Sequence, residues 1–289
     1  MCGIIAVLRR PSDRAVPEND EVLVPLADAV ALLGHGDPLA LARVADVLEG
    51  VDHLLGGVPG LMALDADPAL AGRIRAVLAP VPGLLDTVAG AIGGSDQMEE
   101  DNAALVRVRD VVWAVTRDRL GSHDGVSTLR STSPPPSDAG LAVLLSTQQA
   151  LSAIDRLEVR GRDSAGLQVT VWNHGIHPTD PMVVARLGDQ LHRSGSVRLL
   201  EGGALAFVVK VAAEIGELGD NTAAMRAALS TDGLLARALA APDVEGSLLG
   251  HTRWASVGLV CEPNAHPLDS TRADGRQTPV VMAVQNGDV

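Results

Sequence analysis

The sequence predicts an α+β fold into which an all-helical block has been inserted, and three observations carry that prediction. The chain opens on a continuous apolar run, Gly3 to Leu8, with the β-branched character of a strand. A stretch of about 100 residues with helical spacing follows, within the usual size of a domain. Beyond residue 140, β-branched segments return and alternate with helix-like ones.

In chain order, Gly3 to Leu8 reads as a buried strand stopped by Pro11, and the polar patch Pro11 to Asp20 closes it. From Glu21 to about Leu120 the pattern is helical, as in Leu39 to Leu48 with its Ala/Leu bias. Breaks are expected at Gly34-His35-Gly36, at Gly56-Gly57 with Pro59-Gly60, and at Gly93-Gly94. Asp96-Gln97-Met98-Glu99-Glu100 opens a helix with acidic residues in its first turn, as the dipole prefers, and it runs through Leu105, Val108, Val112 and Val115. The insertion therefore covers residues 12–126. A Ser/Thr/Pro-rich connector, residues 127–140, comes next. Further on, Ala139 to Leu157 reads as a helix, Leu167 to Trp172 and Ala204 to Val211 as strands, and Asn221 to Ala241 as a helix. Ser247 to Ala255 and Val280 to Val289 are strand-like, and there is no internal repeat.

At 289 residues the chain has room for two domains, or for one with a large insertion. Hydrophobic residues make up 46% but aromatic ones only 1%, with no Tyr and a single Phe207, so the core must be built from Leu, Val, Ala and Ile. A formal charge of −13 argues against general affinity for nucleic acid or anionic membrane, so any phosphate or carboxylate must be bound by a local site. Cys2 and Cys261 are the only cysteines, which excludes a disulfide framework and a cysteine-rich zinc site. His174 and His177 lie three apart without acidic or cysteine companions and read as surface residues; no metal and no cofactor is expected. Arg9-Arg10-Pro11 follows the N-terminal apolar run instead of preceding it, and the run is too short for a signal-peptide core. The apolar stretch Ala76 to Gly93 is cut by Pro80, Pro82 and Asp86, so it does not read as a membrane span. The expected compartment is the cytoplasm.

Chemistry concentrates in a few stretches. Trimming Met1 would leave Cys2 with thiol and free α-amine on one carbon, titrating near ~8.5 and ~8, a nucleophile with its own base. The alternative is a small buried residue opening a strand. Arg253 offers a planar fork that matches a carboxylate, and Ser256 a hydroxyl three residues on; otherwise Arg253 is a surface ion-pair partner. Trp254 is core or pocket wall. Asn286-Gly287 supplies a side-chain amide and an unencumbered backbone N–H, the two donors a tetrahedral oxyanion needs, or else a type I′ hairpin turn. Arg160 and Asp163 read as an ion-paired turn supporting the nucleophile strand. His266 either orders a loop over the site or is structural.

Four stretches in order carry a resemblance: Met1-Cys2-Gly3; Arg156-Leu157-Glu158-Val159-Arg160-Gly161-Arg162-Asp163-Ser164-Ala165-Gly166; Gly250-His251-Thr252-Arg253-Trp254-Ala255-Ser256-Val257-Gly258 with Asn264-Ala265-His266-Pro267; and Gln285-Asn286-Gly287. Together they resemble the class II glutamine amidotransferases, and most closely the glutaminase half of glucosamine-6-phosphate synthase. The resemblance covers residues 1–10 and 141–289, about half the chain. It implies an αββα N-terminal-nucleophile sandwich, incomplete at its C-terminus, with Cys2 attacking glutamine and Asn286-Gly287 as the oxyanion hole. Arg253, Trp254, Ser256 and His266 would bind substrate, with Arg160 and Asp163 in support. Ammonia would aminate fructose 6-phosphate in sugar-isomerase domains expected downstream or in a partner chain, and a homo-oligomer is compatible with this.

Departures accompany the matches. Val257, Leu268 and Gln285 stand where the family commonly has histidines, and Val159 and Arg162 where it has tyrosines. The helical block has no counterpart, and the family's ammonium-binding aspartate would fall beyond Val289. Two alternatives follow: a glutaminase half serving another acceptor such as phosphoribosyl pyrophosphate, or a degenerate, non-catalytic paralogue whose helical block is an interaction module.

Overall fold

A computed structural model describes residues 2–92, 97–189, 191–212, 217–255, 258–271 and 278–286. The protein is mixed α+β, with a five-stranded antiparallel sheet. It divides into two compact units, residues 11–124, and residues 1–10 with 125–289.

The first unit is helical among its described residues. Helices α1 (Asn19–Leu33), α2 (Leu41–Leu55), α3 (Gly57–Ala66), α4 (Leu70–Leu78), α5 (Val81–Ala91) and α6 (Met98–Trp113) pack around one apolar core. Val22, Leu26, Ala29 and Leu33 on α1 face Val44, Leu48, Val51 and Leu55 on α2, and each set recurs at the three-to-four spacing that puts residues on one helix face. The Glu18 N–H donates to Glu21, closing the entry to α1. α6 continues through a π-helical turn, Ala114–Leu120, where the Thr116 hydroxyl donates to the Val112 carbonyl at 2.7 Å. Leu70–Ala91, taken across the turn at Pro80, is long and apolar enough by composition to cross a membrane. Its Leu70, Ile74, Leu78, Val81, Leu85 and Val88 are buried in the helical core.

The break expected at Gly56-Gly57 with Pro59-Gly60 falls at Gly56, where α2 gives way to α3, and Pro59-Gly60 themselves lie within α3. Pro59 occupies the first turn of α3, where its missing N–H has no helical acceptor to lose. A Cβ on Gly60 would collide with the backbone of Leu55, so glycine there permits the close approach of α2 and α3.

In the second unit, β1 (Gly3–Leu8), β2 (Ser164–Trp172), β3 (Val197–Leu199), β4 (Leu205–Val211) and β5 (Glu245–Arg253) form the sheet, in the order β1-β5-β2-β4-β3. One face is apolar and meets the helix running over Asp138–Leu157. Gly3 lies against Leu157, Gly246 against Val143 and Gly250 against Ile154. The opposite face is polar yet buried: Ser164, Gln168, Thr170, Lys210, Arg198 and His251 all lie beneath other chain. A cross-strand row on this face reads Ile4, His251, Gly166, Lys210. A two-stranded ribbon, β6 (Leu268–Asp269) with β7 (Met282–Ala283), completes the described strands.

Several sequence expectations require correction. Gly121–Leu129 (α7) and Asp138–Leu157 (α8) are helical, so the connector shortens to residues 130–137. Its last residue, Ser137, caps α8 by accepting from the Gly140 N–H at 3.0 Å and donates its hydroxyl to the Ala241 carbonyl at 2.6 Å. The helix expected over Asn221 to Ala241 is two, α10 (Asp220–Ser230) and α11 (Gly233–Leu239), with α9 (Pro181–Leu187) preceding them. Asp232 divides them because its carboxylate caps the Leu234 and Leu235 N–H groups while gripping Arg186 with both oxygens. Of Val280 to Val289, only Met282–Ala283 is strand among the described residues. His174 is buried instead of superficial: Nε2 donates to the Gly203 carbonyl at 2.9 Å and Nδ1 accepts from the Ile176 N–H at 3.0 Å. β3 and α9 were not expected.

Candidate functional site

Strand pairing brings the separated motifs to one end of the sheet. β1 lies along β5 with Gly3 opposite Thr252, and the Gly3 N–H donates to the Thr252 hydroxyl at 3.1 Å. A Cβ on Gly3 would press on Leu157 and on that hydroxyl, so a glycine after Cys2 lets the strand start flush against α8. The Cys2 thiol is 3.9 Å from the Trp254 carbonyl, and the Asn286 side-chain amide donates to the Cys2 carbonyl at 3.0 Å. An amide nitrogen carries two hydrogens, so one remains for another acceptor beside Cys2.

Asp163 fixes the end of β5. Its backbone N–H donates to the Arg253 carbonyl at 3.1 Å, and its carboxylate accepts from the Ala255 N–H at 2.6 Å. Arg160 ends the 3-10 turn Glu158–Arg160 and is exposed. Trp254 is 57% exposed, which removes it from the core, and it meets the Cys2 thiol through its backbone carbonyl. Arg253 donates through Nη1 to the Leu259 carbonyl at 3.2 Å, as does Asn264 through Nδ2. Ser256 and Gly287 lie outside the described residues.

Beneath this end of the sheet, His251 and His266 pack ring against ring, centroids 4.4 Å apart at 50°. His251 Nε2 lies 2.8 Å from the Gln285 carbonyl; a carbonyl only accepts, so Nε2 carries the proton. Burial, the His266 neighbour and Arg253 push His251 down to about 4, which keeps it neutral at pH 7. Burial, Lys210 and Arg253 also push His266 down. His266 therefore sits under the site as a neutral packing partner, and its backbone carbonyl lies where a Cβ on Gly166 would be. His251 had no assigned role from sequence, although its place two residues before Arg253, on the same strand face, pointed to one.

Comparison with known protein families, curated proteins and solved structures gives no match.

A second polar group, which no sequence motif announces, lies on the same face. Arg198 Nε donates to Asp269 Oδ2 at 2.5 Å, and Asp269 also accepts from the Thr271 N–H and hydroxyl. His192 Nδ1 lies 3.4 Å from the same Asp269 oxygen. Lys210 is buried beside them, its amine without a hydrogen-bond partner among the described residues. Burial outweighs the Asp269 attraction and pushes Lys210 down to about 8. Burial and the Lys210 charge push His192 down as well. Among the described residues no group of His, Cys, Asp or Glu side chains is arranged to hold a metal ion.

Proposed function

We propose that the second unit is a cytoplasmic glutamine amidotransferase domain with an N-terminal-nucleophile αββα architecture, hydrolysing glutamine to glutamate and ammonia. One observation carries the reading: the thiol-bearing Cys2, the Arg253-Trp254 end of β5 and the Asn286 amide, far apart in sequence, meet at one end of the sheet. With Met1 removed, the Cys2 α-amine takes the thiol proton and sulfur attacks the carboxamide carbon. The oxyanion that forms accepts the second hydrogen of the Asn286 amide. The protonated amine returns its proton to the leaving nitrogen, ammonia departs, and water opens the glutamyl thioester. Arg253 matches the substrate carboxylate, and Trp254 walls the approach. The ammonia acceptor under this reading is fructose 6-phosphate, held by sugar-isomerase domains.

Cys2 and Cys261 are both partly exposed, so selective labelling discriminates chemistry from access. A diazoketone analogue of glutamine should label Cys2 and not Cys261, glutamine should protect, and intact mass should show Met1 removed. Retained Met1, or equal labelling of both cysteines, would sink the reading.

A second reading, a non-catalytic paralogue acting through its helical unit, is favoured by a groove of about 260 Å³ between α5 and α6. The half-exposed Trp113 lines it together with Val81, Leu85 and Val112. An unlabelled Cys2 would support that alternative.

A further inference from the structure

The β6–β7 ribbon pairs only Leu268 with Ala283 and Asp269 with Met282, extended by the Ser270 N–H donating to the Val281 carbonyl at 3.0 Å. Two strands this short do not hold a register alone, so the ribbon must be fixed by what it touches. Three residues after β7 comes Asn286, whose amide reaches Cys2. Two weaker ties act near that end, the neutral hydrogen bonds from His251 to the Gln285 carbonyl and from Asn286 to the Cys2 carbonyl.

At the other end of the ribbon the contact differs in kind. Asp269 and Arg198 have side chains only 1% and 3% exposed, and their hydrogen bond is charge-assisted and directional. Arg198 belongs to β3, paired in the main sheet through Ala206 of β4, and its Nη2 donates to the Asp189 carbonyl at 2.6 Å. Thr271 occupies the other oxygen of Asp269, leaving the carboxylate one orientation.

We infer that the buried Arg198–Asp269 pair is the positioning anchor that holds the ribbon, and through it Asn286, in register with Cys2. Neither residue touches substrate; both act through β6 and β7. That the register serves an oxyanion site rests on the glutaminase reading, whereas the anchoring itself does not.

Amide hydrogen exchange and Cys2 labelling on the full chain test this together. In Asp269→Ala, the Ser270, Val280 and Val281 amides should exchange about 100-fold faster while β1 and β5 amides keep their protection. Arg198→Lys, which retains the charge but loses the fork, should fall between. Labelling of Cys2 by the glutamine diazoketone should drop about 10-fold in Asp269→Ala, with iodoacetamide alkylation of Cys2 unchanged, because only the former needs an ordered oxyanion donor. Unchanged exchange in the ribbon, or equal loss of protection in β1 and β5, would overturn the anchor. If the diazoketone leaves the wild-type protein unlabelled, the glutaminase reading fails while the exchange measurement still decides the anchor.

Discussion

Asn286 donates its side-chain amide to the backbone carbonyl of Cys2 at 3.0 Å, across 284 positions of sequence. The contact orients the amide so that its second hydrogen points away from the Cys2 carbonyl, and that geometry is the basis of the first prediction. Under the proposed glutaminase reading, Asn286→Ala should lower glutamate release by about 10²–10³-fold, the usual effect of removing one oxyanion donor. Because Asn286 is exposed, its melting temperature should stay close to that of the wild type, so an assay of glutamate beside a thermal melt separates the two effects.

Glu158 is buried at the start of α10, where its carboxylate accepts from the Gly219 N–H at 2.6 Å and from both the N–H and the hydroxyl of Thr222 at 3.2 Å. The helix dipole favours a negative charge there, and the two N–H groups have no helical acceptor of their own. Glu158→Ala should destabilise the unit by about 2–3 kcal/mol, visible as a lower urea midpoint with unchanged slope.

His251 and Lys210 should make stability depend on pH. Each is a base whose folded pKa lies below its ordinary value, from 6.5 to about 4 and from 10.5 to about 8, so protonation favours the unfolded chain. The His251 contribution is fully present above 6.5 and is lost as pH falls toward 4. That of Lys210 is fully present only above 10.5 and is lost as pH falls through 8. Lys210→Met should therefore stabilise the protein at pH 7 by about 2 kcal/mol and flatten the rise between pH 8 and 10.5. Urea melts at pH 5, 7 and 9 check both; a Lys210→Met variant less stable than wild type at pH 7 would contradict the assignment of Lys210 as a buried cation without a hydrogen-bond partner among the described residues.

Residues 11–124, expressed alone, should melt cooperatively as a helical protein, because α1 to α6 bury their apolar faces in a core of their own. Ile74→Ala, at a fully buried position, should cost about 3 kcal/mol in that fragment. Circular dichroism with temperature reads both, and a sloping, non-cooperative trace would show that the core does not stand alone.

The sequence by itself determined what is local. The recurrence of Val22, Leu26, Ala29 and Leu33 marks a helix face, and the β-branched runs at Gly3–Leu8 and Leu205–Val211 mark strands, because side-chain spacing follows backbone period. Cys2, Arg253 and Asn286 could be named from residue chemistry in their motifs. Only the tertiary structure decided which groups meet and which are buried. Strand order put Lys210 beside Gly166 and Arg198 within reach of Asp269, 71 positions away, and no periodicity in either segment encodes that partner. His174 looked like a surface residue for the same reason, since its burial depends on the Gly203 carbonyl that another segment delivers. Pro59-Gly60 resembled a break because the pair is a breaker in a helix interior; its place in a first turn against Leu55 is set by how α2 and α3 pack.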